Sequence, residues 1–413
     1  MKVEIISTGD ELITGSINDT NASYLASKFL EIGTLVKRCS IVGDDKKQIA
    51  AILKEVSQRA DIVIVTGGLG PTQDDLTAEI AAIASKDKLV INKEAMSDME
   101  LFFKKRNFNM SRINEKQAFL PSRAVMIKNS CGTAPGFHMN FGKAVFYFLP
   151  GVPLEMKDMF TKKVLPNIIK KFAIQQRLRG KITLFSVPES LAAQKLAGFD
   201  TKFPRFQLGF RAAFPMIEIK LLSPPIEKKE DAKKDMAGAK LWVLSKFDAG
   251  QVVSDQGLAM EQEVARLLTK KRKTIAVAES CTGGLISNML TNVSGSSAYF
   301  LFSAVTYSND AKINILNVKR DTIIEHGAVH QNTAEEMARG VMEKAGADYG
   351  ISTSGIAGPT GGTDGKPVGT ICIGFAEKGF SKAKTYCLNF NDREQNKKIF
   401  AHVCLNTIRK ELL

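Results

Sequence analysis

The sequence predicts an α/β protein of more than one domain. Three observations carry that expectation. Short apolar strand runs alternate with helix-period segments, glycine-rich turns follow several of those runs directly, and 413 residues exceed what one core serves. A hydrophobic content of 44% and a charged content of 24% are ordinary for a folded chain. No apolar run reaches the length of a membrane span, and residues 1–6 run straight into a strand. Neither a membrane anchor nor a signal peptide is therefore expected.

Residues 3–7 read as a strand, and a helix begins near Asn18, Asp19 and Thr20 and passes Tyr24, Leu25, Phe29 and Leu30. Residues 33–36 turn into the next strand, and 46–60 read as a helix with Ile49, Ile52, Leu53 and Val56 on one face. Residues 61–65 form an apolar strand that meets Gly67 and Gly68. Across 1–170 this alternation is that of a parallel sheet. From 171 onward Pro204, Pro215, Pro224 and Pro225 punctuate short strand-like runs such as 215–222, and a small α+β connecting module is expected over 171–255. A helix starts near Met260 and Glu261 and passes Val264, Leu267 and Leu268, opening a second α/β domain over 256–413.

The six cysteines are scattered, without a CxxC pair or Cys/His ligand spacing, which suits reduced thiols in a cytoplasmic protein. The net charge of +14 raises the question of nucleic acid. Basic clusters such as Lys270, Lys271, Arg272 and Lys273 occur, yet no helix-turn-helix, zinc or aromatic RNP-type signature accompanies them. A solvated basic surface that favours anionic substrates is expected, with no specific nucleic-acid partner.

The most informative residue is Ser280. An apolar strand run, 274–278, precedes it, and Thr282, Gly283, Gly284 and a helical segment, 285–290, follow. A hydroxyl at such a turn sits beside the N–H groups that open the helix, which suit an oxyanion or a phosphate. A serine there reads equally as an N-cap. Downstream, Tyr307 stands where a strand runs into a turn and Lys312 at the start of the next helix. Another glycine-rich stretch, 352–362, follows a further apolar strand, so it belongs on the same sheet edge as Ser280. With only four histidines in the chain, a lysine kept neutral by burial is the candidate base for Ser280, with Tyr307 as a relay.

The motifs AESCTGG (278–284), SGSS (294–297), VTYSNDAK (305–312), EHGAV (325–329), SGIAGPTGGT (354–363) and KPVGT (366–370) resemble the nicotinamide-mononucleotide deamidase domain of the competence/damage-inducible protein A (CinA) family. The resemblance spans roughly 258–413. It implies Ser280 as nucleophile with Tyr307 and Lys312 beside it, a substrate contact at Ser354, and Arg393 in the late D-R motif. Where the family has a second basic residue, commonly arginine, this chain has Lys397 or Lys398. The implied reaction converts nicotinamide mononucleotide and water to nicotinate mononucleotide and ammonia, without a cofactor. Backbone N–H groups near Thr282 and Gly283 would hold the oxyanion, and Arg393 with the loop of Gly355 and Gly358 would hold the phosphate.

At the other end, Thr66, Gly67, Gly68 and Gly70 form a glycine loop, followed by Asp74 and Asp75, while Glu11 follows the first strand. The two aspartates also read as caps of the helix beginning at Leu76. STGDEL (7–12), DTNASYL (19–25), TGGLGPTQDDLT (66–77), GTAPGF (132–137) and LPGVPLEM (149–156) are similar to the N-terminal domain of the same family, which shares the molybdopterin-binding fold. The resemblance covers about 1–170 and implies an ADP-ribose pyrophosphatase using a divalent metal (Mg, Mn or Co). Asp75, Asp74 and Glu11 are its candidate ligands, and Asn114 and Gln117 its candidate substrate contacts. Together the two ends suggest a cytoplasmic pyridine-nucleotide recycling hydrolase, expected as a homodimer. The alternatives are deamidation alone, with an N-terminal module that binds a nucleotide or a pterin-like ligand, and a competence-related adaptor.

Overall fold

A computed structural model describes residues 1–174 and 177–413, which form two compact units. The first comprises residues 1–177 with 225–227, and the second 178–224 with 228–413.

Unit 1 is built on a six-stranded sheet. Its members are β1 (Val3–Thr8), β2 (Val36–Val42), β3 (Ile62–Thr66), β6 (Val125–Ile127), β7 (Gly136–Phe141) and β8 (Ala144–Leu149), in the order β2-β1-β3-β8-β7-β6. A separate pair joins β4 (Leu89–Ile91) to β5 (Phe119–Pro121). Every residue of β1 and β3 is buried, as in a central strand covered on both faces. Side chains alternate between two cores: Val3, Ile5, Ile62 and Ile64 pack on one, and Ile6, Val63 and Val65 on the other. The covering helices start where carboxylates cap them. Asp19 accepts the Ala22 N–H at 2.8 Å to open α1 (Thr20–Glu31), and Asp45 accepts that of Gln48 at 2.8 Å to open α2 (Lys46–Ser57). The sheet departs from all-parallel at one edge. Between Phe141 and Ala144 only Gly142 and Lys143 remain, too few for a crossover, so β7 and β8 form an antiparallel hairpin with Gly142 at φ 60°.

In unit 2 the connecting segment forms a second sheet from β9 (Arg177–Phe185), β10 (Gln207–Ala213), β11 (Met216–Pro225) and β12 (Val252–Ser254), ordered β10-β11-β9-β12. It packs within the same compact unit as the C-terminal domain. There β13 (Ile275–Glu279), β14 (Phe300–Val305), β15 (Tyr349–Gly355), β16 (Thr370–Glu377) and β17 (Phe380–Cys387) are ordered β14-β13-β15-β16-β17. The first three run parallel, so their C-terminal ends share one edge, while β16 and β17 run antiparallel. The long helix α3 (Arg393–Glu411) buries Phe400, Cys404, Leu405 and Ile408 against Ile275 and Val277. Ala276 and Ala278 face the opposite core, with Met337 and Val341. Among the described residues, no helix is long and apolar enough to cross a membrane.

Candidate active site

At the edge where the three parallel strands end, β13 gives way to the turn of Ser280. The Ser280 N–H donates to the Thr353 carbonyl at 3.0 Å, and the Thr306 N–H donates to the Glu279 carbonyl at 2.8 Å, fixing the turn between its neighbours. Gly283 and Gly284 lie at φ 62° and 93°, a region that favours glycine, and Gly284 leads into α4 (Leu285–Thr291).

Ser280 does not cap that helix. The carboxylate of Glu279, fully buried, accepts the N–H groups of Gly284 (2.9 Å), Ile286 (3.2 Å) and Ser287 (2.9 Å), and the Ser287 hydroxyl at 2.6 Å. This corrects the expected set of oxyanion donors. The Gly283 N–H is engaged by the Ser280 carbonyl at 3.1 Å and that of Gly284 by Glu279, whereas that of Thr282 bonds to no acceptor among the described residues and that of Cys281 lies against its own thiol sulfur. The Thr282 hydroxyl is 2.8 Å from that of Thr353, inside the protein.

Lys312 rises from the helix Asn309–Leu316, which Ser308 caps by accepting the Ala311 N–H at 3.1 Å. Its side chain is 1% exposed, and Nζ lies 3.1 Å from Ser280 Oγ, 2.9 Å from the Thr306 carbonyl and 3.2 Å from the Tyr307 carbonyl. Among the described residues no carboxylate pairs with it, and burial lowers its pKa from the ordinary lysine value. A neutral amine has two N–H donors and one lone pair. With the two carbonyls taking those donors, the neutral form would turn its lone pair to the serine hydroxyl, whereas the protonated form donates to it.

Tyr307 departs from its expected place as a relay. Its side chain is 63% exposed, and its hydroxyl meets Arg393 Nη2 at 3.4 Å rather than Ser280 or Lys312. Only its carbonyl belongs to the buried pair. Arg393 also donates to the Gly358 carbonyl at 2.6 Å, tying the glycine-rich loop to the start of α3. Ser354 is buried and donates to the Ala328 carbonyl at 2.6 Å, so its hydroxyl faces the protein. Gly355 is a packing position: a Cβ there would meet the Thr370 carbonyl at 2.5 Å.

Several neighbours of the site were given no role by the sequence. His326 and His330 stack with centroids 4.3 Å apart, in the segment whose Ala328 carbonyl receives Ser354. Lys366 donates to the His326 carbonyl at 2.8 Å. Lys397 Nζ lies 3.5 Å from where a Cβ on Gly283 would stand, which brings it to the Ser280 turn. His326 and Lys366 lie in the EHGAV and KPVGT motifs and Lys397 follows the D-R pair, but their proximity to one another and to the Ser280 turn is made by the fold and not by local spacing.

In unit 1 the glycine loop is tightly fitted. A Cβ on Gly67 would lie 2.4 Å from the Thr8 carbonyl and one on Gly68 2.2 Å from Thr77 Oγ1, while Thr66 Oγ1 is 3.4 Å from Ser7 Oγ. The carboxylates behave differently from expectation. Asp75 accepts the Thr72 N–H at 2.8 Å and its hydroxyl at 2.6 Å, closing a turn beneath Gly70, and neither aspartate caps the helix Thr77–Ala84. Asp44 has its pKa raised by burial and by repulsion from Asp10, Glu11 and Asp74. Among the described residues no group of three or more metal-ligating side chains is preassembled, and Asp75 is held by Thr72, apart from the carboxylates of Asp10, Glu11, Asp44 and Asp74 that act on one another. Asn114 reaches Gln117 at 3.4 Å, and Gln117 reaches the Leu69 carbonyl at 3.4 Å. Lys116, not anticipated, donates to the Thr72 carbonyl beside Asp75.

These features define a two-unit α/β protein, with a molybdopterin-binding-like parallel-sheet domain and a buried serine–lysine pair at a second sheet edge. Comparison with known proteins agrees. The CinA C-terminal domain model matches residues 258–412, and the probable molybdopterin binding domain model matches 4–170. A CinA-like protein of Desulforapulum autotrophicum is 47% identical over 420 residues, spanning 100% of this chain and 99% of its own. A CinA-like protein of Desulfosudis oleivorans is 45% identical over 419 residues, spanning 100% of both. A solved competence damage-inducible protein A (ComA) from Klebsiella pneumoniae shares 35% identity over 37% of this chain and 94% of its own, with a TM-score of 0.36. The chain belongs to the CinA family.

Proposed function

We propose that unit 2 is a nicotinamide-nucleotide amidohydrolase. The observation that carries this is the 3.1 Å approach of Lys312 Nζ to Ser280 Oγ, inside the protein and without a carboxylate partner among the described residues. Neutral Lys312 accepts the hydroxyl proton as Ser280 Oγ attacks the carboxamide carbon of nicotinamide mononucleotide. The oxyanion is received by the N–H group of Thr282; removing one such donor typically costs about 10²–10³-fold in turnover. Lys312 then returns the proton to the departing nitrogen, ammonia leaves, and water hydrolyses the acyl-serine to nicotinate mononucleotide and free Ser280. Arg393 suits the substrate phosphate through its two-pronged donor geometry. The experiment is ammonia release from nicotinamide mononucleotide by the purified chain; a rate equal to the blank removes the assignment.

For unit 1 the proposal is hydrolysis of ADP-ribose to AMP and ribose 5-phosphate at the loop of Thr66, Gly67, Gly68 and Gly70. One observation favours a second reading, in which unit 1 only binds a nucleotide or a pterin-like ligand: the Asp75 carboxylate is committed to the Thr72 N–H and hydroxyl. Incubation with ADP-ribose and Mg, Mn or Co separates the two, since AMP appears only under the first.

A further inference from the structure

A cleft of about 950 Å³ lies in unit 2, between the hairpin of β10 and β11 and the first turns of α4 and α3. Arg211, Phe214 and Met216 line the hairpin side, and Leu285, Met289 and Lys397 are among the residues facing them. The connecting sheet that carries the hairpin is held in place. Phe214 packs edge-on against Phe390 with centroids 4.8 Å apart, and Phe185 stacks on His402 at 6.4 Å. Arg409, almost fully buried, donates to the carbonyls of Val252 at 2.6 Å and Gly250 at 2.8 Å.

The charges of the cleft are unevenly committed. Glu261, Asp392 and Glu394 also line it, but the Asp392 carboxylate is turned to the Gln395 N–H at 2.7 Å as a helix cap. Among the described residues, Arg393, Lys397 and Lys398 have no ion-pair partner, and Arg211, 59% exposed, has a loose one in Glu218 at 3.6 Å. Ser280 and Lys312 do not line the cleft, but two of its lining residues, Arg393 and Lys397, border the turn that carries Ser280. Arg393 reaches the Tyr307 hydroxyl, the Tyr307 carbonyl accepts from Lys312, and Lys397 sits beside Gly283.

We propose that this cleft is a binding site for a 5′-phosphorylated nucleoside, shared by the connecting sheet and the C-terminal domain, with Arg211 as a phosphate-recognising residue. It rests on the amidohydrolase assignment of Ser280 and Lys312. The apolar wall of Phe214, Met216, Leu285 and Met289 takes the ring and sugar faces, while the cations take the phosphate. The connecting sheet thus selects phosphorylated over unphosphorylated ligands.

The test is calorimetric titration of the full chain with nicotinamide mononucleotide, nicotinamide riboside and inorganic phosphate, for wild type and Arg211→Ala. We expect wild type to prefer the mononucleotide to either other ligand, and Arg211→Ala to weaken mononucleotide binding about tenfold, as loss of a charge-assisted phosphate contact does, with riboside binding unchanged. An unchanged mononucleotide affinity, an equal loss for both nucleosides, inorganic phosphate binding as tightly as the mononucleotide, or no nucleotide binding by wild type would each overturn the proposal. Ammonia assays on the same samples separate the two claims. A chain that binds as expected but releases no ammonia keeps the cleft and loses the reaction, and one that deamidates with Arg211 irrelevant to binding does the reverse.

Discussion

Glu279 and Ser287 are bonded twice, the carboxylate accepting the Ser287 N–H at 2.9 Å and its hydroxyl at 2.6 Å. With Gly284 and Ile286 also donating, this carboxylate neutralises the helix start from within and holds the turn that carries Ser280. Glu279→Ala leaves buried N–H groups without an acceptor. A loss of about 3 kcal/mol in unfolding free energy is expected from the cost of orphaned donors, with a smaller loss for Glu279→Gln. Urea denaturation of the three proteins measures it.

Burial lowers the pKa of Lys312 from its ordinary 10.5. The protonated amine has no lone pair, so kcat/KM is low at acid pH, rises as pH passes the lowered value, and levels off below 10.5. A pH–rate profile checks the sign; activity falling across this limb contradicts it.

Cys281 adjoins the candidate nucleophile, yet burial pushes its thiol up to about 12. At neutral pH it is a thiol packed in the core rather than a thiolate. Cys281→Ala is expected to keep its turnover. Maleimide labelling should reach the exposed Cys39 and Cys387 in the folded protein, and Cys281 only after denaturation.

The Tyr307 hydroxyl meets Arg393, not the buried pair. Tyr307→Phe is therefore expected to change kcat by less than about threefold, against the ~10²–10⁴-fold that a proton-transfer role contributes. Steady-state kinetics of this one variant distinguishes the two.

Much of this architecture was legible because local pattern reports burial. The runs at 3–7, 61–65 and 274–278 became fully buried strand residues, and the strand-turn-helix around Ser280 followed from its glycines. The bond from Lys312 to Ser280 was legible as chemistry, since a serine without a nearby histidine needs another base. Side-chain direction was not. Nothing local says that Glu279 folds back over its own turn, that Tyr307 points outward, or that Asp75 closes on Thr72, because tertiary packing selects those rotamers. Arg211 was invisible for a similar reason: its nearness to Arg393 comes from how two sheets pack.

The most direct test of the central claim is the rate of ammonia release from nicotinamide mononucleotide by Ser280→Ala and Lys312→Met, each confirmed as folded by circular dichroism. If the hydroxyl attacks and the amine takes its proton, each variant loses at least about 10³-fold in kcat. Turnover within tenfold of wild type in either folded variant would contradict the account.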